Sequence, residues 1–245
     1  MGEPGGKDRH PAARDRGEAQ AHVTTFWSTV AAGYEEHEGN VAEYGSAQYQ
    51  RWVDALASVL PDPPCDVLDV ATGTGYVALA AASLGHRVTA IDLAPAMLDE
   101  LAANAAARSL AVDARLGDAV APDFPPASFD AVTSRHLFWT LREPARAMAN
   151  WRQLLRPGGR LVAVDGFWFS DWDDGDVPPL FAEHYTADTR GELPFMHLDG
   201  PGPILGALAG AGFTDLAAEP RPDLSLGGGV PYLMTATRPW PARGD

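Results

Sequence analysis

Cysteine is nearly absent. Cys65 is the single one in 245 residues, which excludes an intramolecular disulfide and a Cys-x-x-Cys metal knuckle. Basic residues are scarce too: 18 Lys and Arg stand against 33 Asp and Glu, a formal net charge of −15. Binding to nucleic acid or to an anionic membrane surface needs basic side chains to meet phosphates, so neither partner is expected. No apolar run approaches the ~20 residues that span a bilayer. The opening "MGEPGGKDRHPAARDRGEAQ" lacks the apolar core of a signal peptide, and its Gly, Pro and mixed charge predict a disordered leader over residues 1–22. These absences leave a cytoplasmic protein, monomer or homodimer, acting on a small molecule without a metal. Its single domain would run over 23–245.

What is present alternates. Hydrophobic residues make up 46% of the chain, enough for a sizeable core. "QYQRWVDALASVLP" sets Trp52, Val53, Leu56 and Leu60 at helical spacing. "CDVLDVA" then reads as a buried strand, "YVALAAASLG" as a helix with Gly85 at its C-cap, "HRVTAIDL" as a strand and "PAMLDELAANAAAR" as a helix opened by Pro95. "ARLGDA" and "SFDAVTSR" follow as strands, then the helix "EPARAMANWRQLL", a turn "RPGG" and the strand "RLVAVDG". The rhythm predicts a doubly wound α/β sheet, Rossmann-like, with helices on both faces. Such sheets bind ligands beyond the carboxyl ends of their strands, where Asp69, Asp92, Asp118, Ser134 and Asp165 all fall. Past Asp165 the rhythm breaks into a long aromatic and acidic stretch, read as a substrate-side cap over 166–200. A helix, a strand-like "TDLAAEP" and a last strand "PYLMTATRP" close the chain.

The stretch "DVATGTGYVA" poses the functional question. From Gly73 it is Gly-x-Gly-x-x-Ala, a dinucleotide fingerprint, with Asp92 19 residues on, where that fingerprint wants its acid. Gly73 and Gly75 let backbone approach a ligand where a Cβ would intrude, and a ribose of either cofactor suits Asp92. Asp69 separates the two readings. An acid at the strand end just before the turn repels a diphosphate and suits the ammonium and sulfonium of S-adenosylmethionine. Asp118, after the third strand, can accept from an adenine amine, a position the dinucleotide reading leaves empty.

With those residues in place, "VLDVATGTG", "VTAIDLAPAML", "RLGDA", "FDAVTSRHLFWTL" and "LLRPGGRLVAVDG" resemble, in order and spacing, the class I S-adenosylmethionine-dependent methyltransferases. The likeness is greatest to the small-molecule branch of quinone biosynthesis and bacterial secondary metabolism. It implies a seven-stranded sheet of order 3-2-1-4-5-7-6 with strand 7 antiparallel. It also implies a small cap, with residues 23–60 as an N-terminal helical lid. By that resemblance Asp69, Ala71, Gly73, Thr74 and Gly75 line the methionine end of the cofactor, Ala71 standing where the family often has glycine. Asp92 holds the ribose, and Leu93, Met97, Gly117, Asp118 and Ala119 surround the adenine. Ser134 and Arg135 close the pocket, and Tyr34 leans over it. Ala94 replaces a common capping Ser.

Methyl transfer from a sulfonium requires alignment and exclusion of water, and a base only where the acceptor must lose a proton. His136, just past the fourth strand, is the candidate base, with a purely structural histidine as the competing reading. Trp139 reads as pocket wall. Phe167, Trp168, His184, Tyr185 and His197 are candidates for acceptor contact, as is His37 in the lid. Asp171, Asp173, Asp174 and Asp176 form either a solvated run or an attractor of a cation; the spacing misses a calcium loop, since its twelfth residue is Ala182. The expected reaction is methylation of an O, N or C atom of an aromatic or apolar metabolite. The alternatives are a dinucleotide oxidoreductase and a non-methylating protein that binds the same cofactor.

Overall fold

The strands that read as unbroken apolar runs lie at the centre of one sheet, covered on both faces. In the computed structural model, which describes residues 15–36, 42–170, 178–227 and 229–241, β1 (Asp66–Val70) and β4 (Phe129–Arg135) are neighbours. Val67, Leu68, Val70, Ala131 and Val132 are inaccessible to solvent. Parallel strands β2 (Arg87–Asp92) and β3 (Val112–Leu116) extend the sheet on one side. On the other lie β5 (Leu155–Asp165), β7 (Tyr232–Thr237) and β6 (Thr214–Pro220). The order is β3-β2-β1-β4-β5-β7-β6, with β7 antiparallel to both neighbours. Chain direction reverses its course across the sheet between β1 and β4, which opens a crevice at their carboxyl ends.

Helices α2 (Ala47–Val59), α3 (Tyr76–Ser83) and α4 (Pro95–Ala107) belong to one face, α5 (Pro144–Leu154) and α8 (Gly202–Gly210) to the other. Ser46 caps α2 by accepting the Tyr49 N–H at 3.1 Å. On α5, Ala147, Met148, Trp151 and Leu154 form the buried stripe that their spacing predicts, and the Trp151 indole donates to the Ala119 carbonyl at 2.7 Å. A smaller third cluster joins α1 (Asp15–Val30) and α6 (Pro179–His184), with α7 (Ala187–Gly191) beside it.

Two expectations need correction. The helix α1 starts at Asp15, so residues 15–22 are not leader. Ala19, Val23, Phe26, Trp27 and Val30 recur at helical spacing, and Phe26 packs edge-on against Phe181 (5.5 Å) and Tyr185 (5.3 Å). Secondly, α2 is not lid: Trp52, Val53, Ala55 and Leu56 are built into the main core. The segment "RPGG" turns as expected, within the span of β5. It lies inside β5 as an irregularity opposite β4, and Gly158 N–H donates to the Arg238 carbonyl while Arg238 N–H donates to Gly159, each at 2.8 Å. Gly158 holds φ +79°, so the chain turns there and its register against β4 slips, while Arg238, just past β7, meets its backbone groups. The acidic residues 171–176 and His37 lie outside the described residues.

Gly75 caps α3 at φ +92°, and a Cβ there would meet Leu101 Cδ1 at 2.1 Å. Gly75→Ala is therefore expected to cost about 2 kcal/mol, a fall in Tm of roughly 4–8 °C by calorimetry for a chain of this length.

Candidate active site

Three residues of the β1–α3 turn hold left-handed backbone: Ala71 (φ +51°), Gly73 (+56°) and Gly75 (+92°). That need explains why glycine is common at the Ala71 position in the resembled family. A Cβ on Gly73 would meet nothing nearer than the Met97 sulfur at 4.0 Å, so its bare face opens into a cavity. Asp69 stands beneath it, 1% exposed, accepting the Thr72 hydroxyl on Oδ2 and the Thr133 hydroxyl on Oδ1, both at 2.6 Å. Burial pushes its carboxyl up to about 6 against those hydrogen bonds and the Arg135 charge. Asp92 accepts Gly73 N–H on Oδ2 and Ala94 N–H on Oδ1, both at 2.9 Å. Burial raises it as well. Each carboxylate thus uses about half of its roughly four acceptor positions on the protein itself. Asp118 accepts Val120 N–H at 2.8 Å and lies 3.7 Å from the Arg142 guanidinium.

These acids share one cavity. Its walls include Tyr34, Asp69, Ala71, Gly73, Thr74, Asp92, Leu93, Met97, Gly117, Asp118, Ala119 and Arg135. Two expected members are elsewhere. Gly75 sits behind the turn against Leu101. Ser134 follows Thr133 along β4 and so points to the opposite face of the sheet, buried and without a hydroxyl partner among the described residues. Asp165, another acid at a strand end, also turns away. It accepts the N–H groups of Phe138 (2.7 Å) and Gly166 (2.9 Å) and ties down the turn after β4.

A second cavity adjoins the first, and Trp27, Tyr34 and His136 border both. His136 holds φ +54°, its N–H bonded to the Val164 carbonyl at 2.9 Å and its ring edge-on to Trp168 at 4.5 Å. Burial, and then Arg135, hold its imidazole well below the usual histidine range. It is neutral near pH 7. Of the residues expected to touch an acceptor, Trp139 and Trp168 line this cavity. Phe167 packs on Tyr232 and His184 beside His22 and Phe26. Tyr185 is buried with its hydroxyl 2.8 Å from that of Thr140, and His197 Nδ1 lies 3.0 Å from the Phe169 carbonyl on the surface. These four are off its walls.

Several wall residues were not anticipated. Gln20, Val23, Thr24 and Trp27 of α1 face the first cavity, as does Arg142, and Trp52 faces the second. Arg142 donates to the Gln20 side chain and so ties α1 to the Asp118 end. The helical spacing of α1 was the available signal. Nothing in the sequence marked Arg142. Among the described residues no group of His, Cys, Asp and Glu is placed to hold a metal ion, and no helix is long and apolar enough to cross a membrane.

Comparison with known proteins agrees with this geometry. The family described as Methyltransferase domain matches residues 68–163. The chain is 38% identical over 113 residues to the demethylmenaquinone methyltransferase of Deinococcus radiodurans, covering 45% of this chain and 47% of that protein. It is 35% identical over 190 residues to the nocamycin O-methyltransferase of Saccharothrix syringae, covering 70% and 66%. The matched part thus spans about half to two thirds of these relatives' lengths. Among solved structures, phosphoethanolamine N-methyltransferase 2 of Haemonchus contortus, in complex with S-adenosyl-L-methionine, superposes with a TM-score of 0.62 at 19% identity. That match covers 86% of this chain and 57% of the other, and it speaks for the fold.

Proposed function

The chain carries a domain of the S-adenosylmethionine-dependent methyltransferase family, and from that premise we propose that it methylates an O, N or C atom of a small aromatic or apolar metabolite, in bacterial secondary metabolism. One observation carries the reading: Asp69, Asp92 and Asp118, from the ends of three adjacent strands, converge on a single cavity around a glycine turn. The residues present fit the cofactor. A buried acid matches its ammonium, a second acid with free acceptor positions matches its ribose, and the open face of Gly73 admits it closely. The same Asp69 opposes a dinucleotide's diphosphate, which the turn alone would have accommodated. Similarity to the nocamycin enzyme supports the secondary-metabolic setting.

Bound S-adenosylmethionine supplies an activated methyl group, so the protein's tasks are orientation, exclusion of water and proton removal. Tyr34 and Trp27, bordering both cavities, set the boundary between cofactor and acceptor. His136 stands at the same boundary as a neutral proton acceptor.

Calorimetry provides the first test, with S-adenosylmethionine binding and NAD(P) not; tight dinucleotide binding alone would overturn the proposal. Formation of S-adenosylhomocysteine on an acceptor panel tests turnover. His136→Asn suits the left-handed backbone, which asparagine tolerates, and should lower kcat about 100-fold while cofactor affinity changes far less.

A further inference from the structure

We propose that the second cavity admits an uncharged planar ring compound whose nucleophile is a hydroxyl, a phenol or enol, and discriminates against amines. This rests on the methyltransferase reading and narrows its acceptor.

The walls make the first part of the case. Trp27, Trp52, Trp139, Trp168 and Phe169 reach the cavity from four separate stretches of chain. Trp139 lies 4.8 Å from Phe169 and 6.0 Å from Trp27, at interplanar angles of 46° and 60°. Rings so inclined offer faces and edges to a flat guest, the arrangements aromatic pairs prefer. Among the described residues lining the cavity, none is Asp, Glu, Lys or Arg; Tyr34, His136 and Ser225 supply the polar side chains. An ammonium entering there would leave its hydration without meeting a carboxylate. Indole faces compensate a cation in part, but the Arg135 guanidinium already engages the Trp52 ring at 5.5 Å and the Tyr76 ring at 4.5 Å.

Proton chemistry makes the second part. His136 is the imidazole at the boundary of the two cavities, buried and neutral. A protonated amine has no lone pair to offer until it loses its proton, and an imidazole of weakened basicity takes that proton poorly. A phenol or enol keeps its lone pairs while protonated. Its hydroxyl can donate a hydrogen bond to the imidazole nitrogen from the moment it binds. Its acidity rises only as the new bond forms, so a weak neutral base suffices.

The test uses the full chain saturated with S-adenosylhomocysteine and titrated calorimetrically with two probes of one ring system, 2-naphthol and 2-(aminomethyl)naphthalene, at pH 7.5. The expected result is 2-naphthol binding at least about tenfold tighter. His136→Asn should reduce that preference without abolishing it, since the walls still lack a carboxylate, and Trp168→Ala, at a partly exposed position, should weaken both probes together. Equal or tighter binding of the amine overturns the proposal. So does a failure of both probes to bind protein that has taken up S-adenosylhomocysteine. Failure of S-adenosylhomocysteine itself to bind, read first in the same titration, removes the underlying methyltransferase reading instead.

Discussion

Replacing Asp69 with asparagine should weaken S-adenosylmethionine binding by about 10- to 100-fold without lowering the stability of the free protein at pH 7.5. The two effects separate because the carboxylate carries opposite costs in the two states. Free, it is 1% exposed and pushed up to about 6, so ionising it inside the protein is unfavourable and an amide relieves that cost. Bound, it faces an ammonium, and a charge-assisted hydrogen bond is worth about 1.5–3 kcal/mol. The hydroxyls of Thr72 and Thr133 both donate to it. Asparagine can satisfy one or both through its carbonyl oxygen, which keeps the turn in place. The same residue gives a pH signature. Below about pH 6 the free protein holds a proton on Asp69, and a cationic ligand must displace it. Affinity should therefore fall by up to about tenfold per pH unit below that point, with a proton released on binding. Asp69→Asn should flatten this dependence. An asparagine variant with wild-type affinity from pH 5 to 8 would show that the carboxylate does not meet the cofactor.

Those acids were legible because they end strands whose apolar runs are unmistakable. β1 and β4 are buried on both faces, and β2 is buried at Val88, Ala90 and Ile91, which leaves little alternating pattern to confuse with surface strands. Other features depend on partners remote in sequence. The left-handed run of the first turn and the open face of Gly73 follow from local sequence, but the wall that α1 contributes does not. Its Gly- and Pro-rich prelude masked a regular stripe from Ala19 to Val30, which packs against α4, α6 and neighbours remote in sequence. The turn at "RPGG" was legible from its Pro and Gly, but its backbone partner was not, since Arg238 lies some 80 residues further on. Trp52 was legible as a core residue and is one. That it also borders the second cavity, with Tyr34 and Leu224, Ser225 and Leu226, depends on parts of the chain remote from it. Asp165 shows the limit most plainly, since its position at a strand end is common to the cofactor acids while its side chain serves the backbone.

That difference has a measurable consequence in stability. Asp165 is buried against the N–H groups of Phe138, Gly166 and Leu137, and burial, outweighing those hydrogen bonds, pushes its carboxyl up to about 7. An unfolded chain releases the proton near 3.9. Between those values the native state binds more protons than the unfolded state, so the stability this group contributes is complete below pH 4 and is lost as pH rises through about 7. The span corresponds to roughly 4 kcal/mol. The raw pH profile will not reveal it, because the buried His86 and His136 are shifted downward and impose the opposite slope up to their unfolded value near 6.5. Comparison with Asp165→Asn isolates it. Asparagine cannot ionise, and its one carbonyl oxygen leaves part of the N–H cluster unsatisfied, so the variant should be less stable than wild type at pH 4.5 by about 1–2 kcal/mol. From pH 4.5 to 7.5 the wild type should lose this advantage and fall behind, with urea midpoints crossing between. Because the tethered turn carries His136 and Trp139, any loosening there should also reach the boundary of the two cavities. A constant difference between the two proteins across that range would mean that Asp165 is ionised throughout and that its backbone cluster, rather than a retained proton, sets its energy.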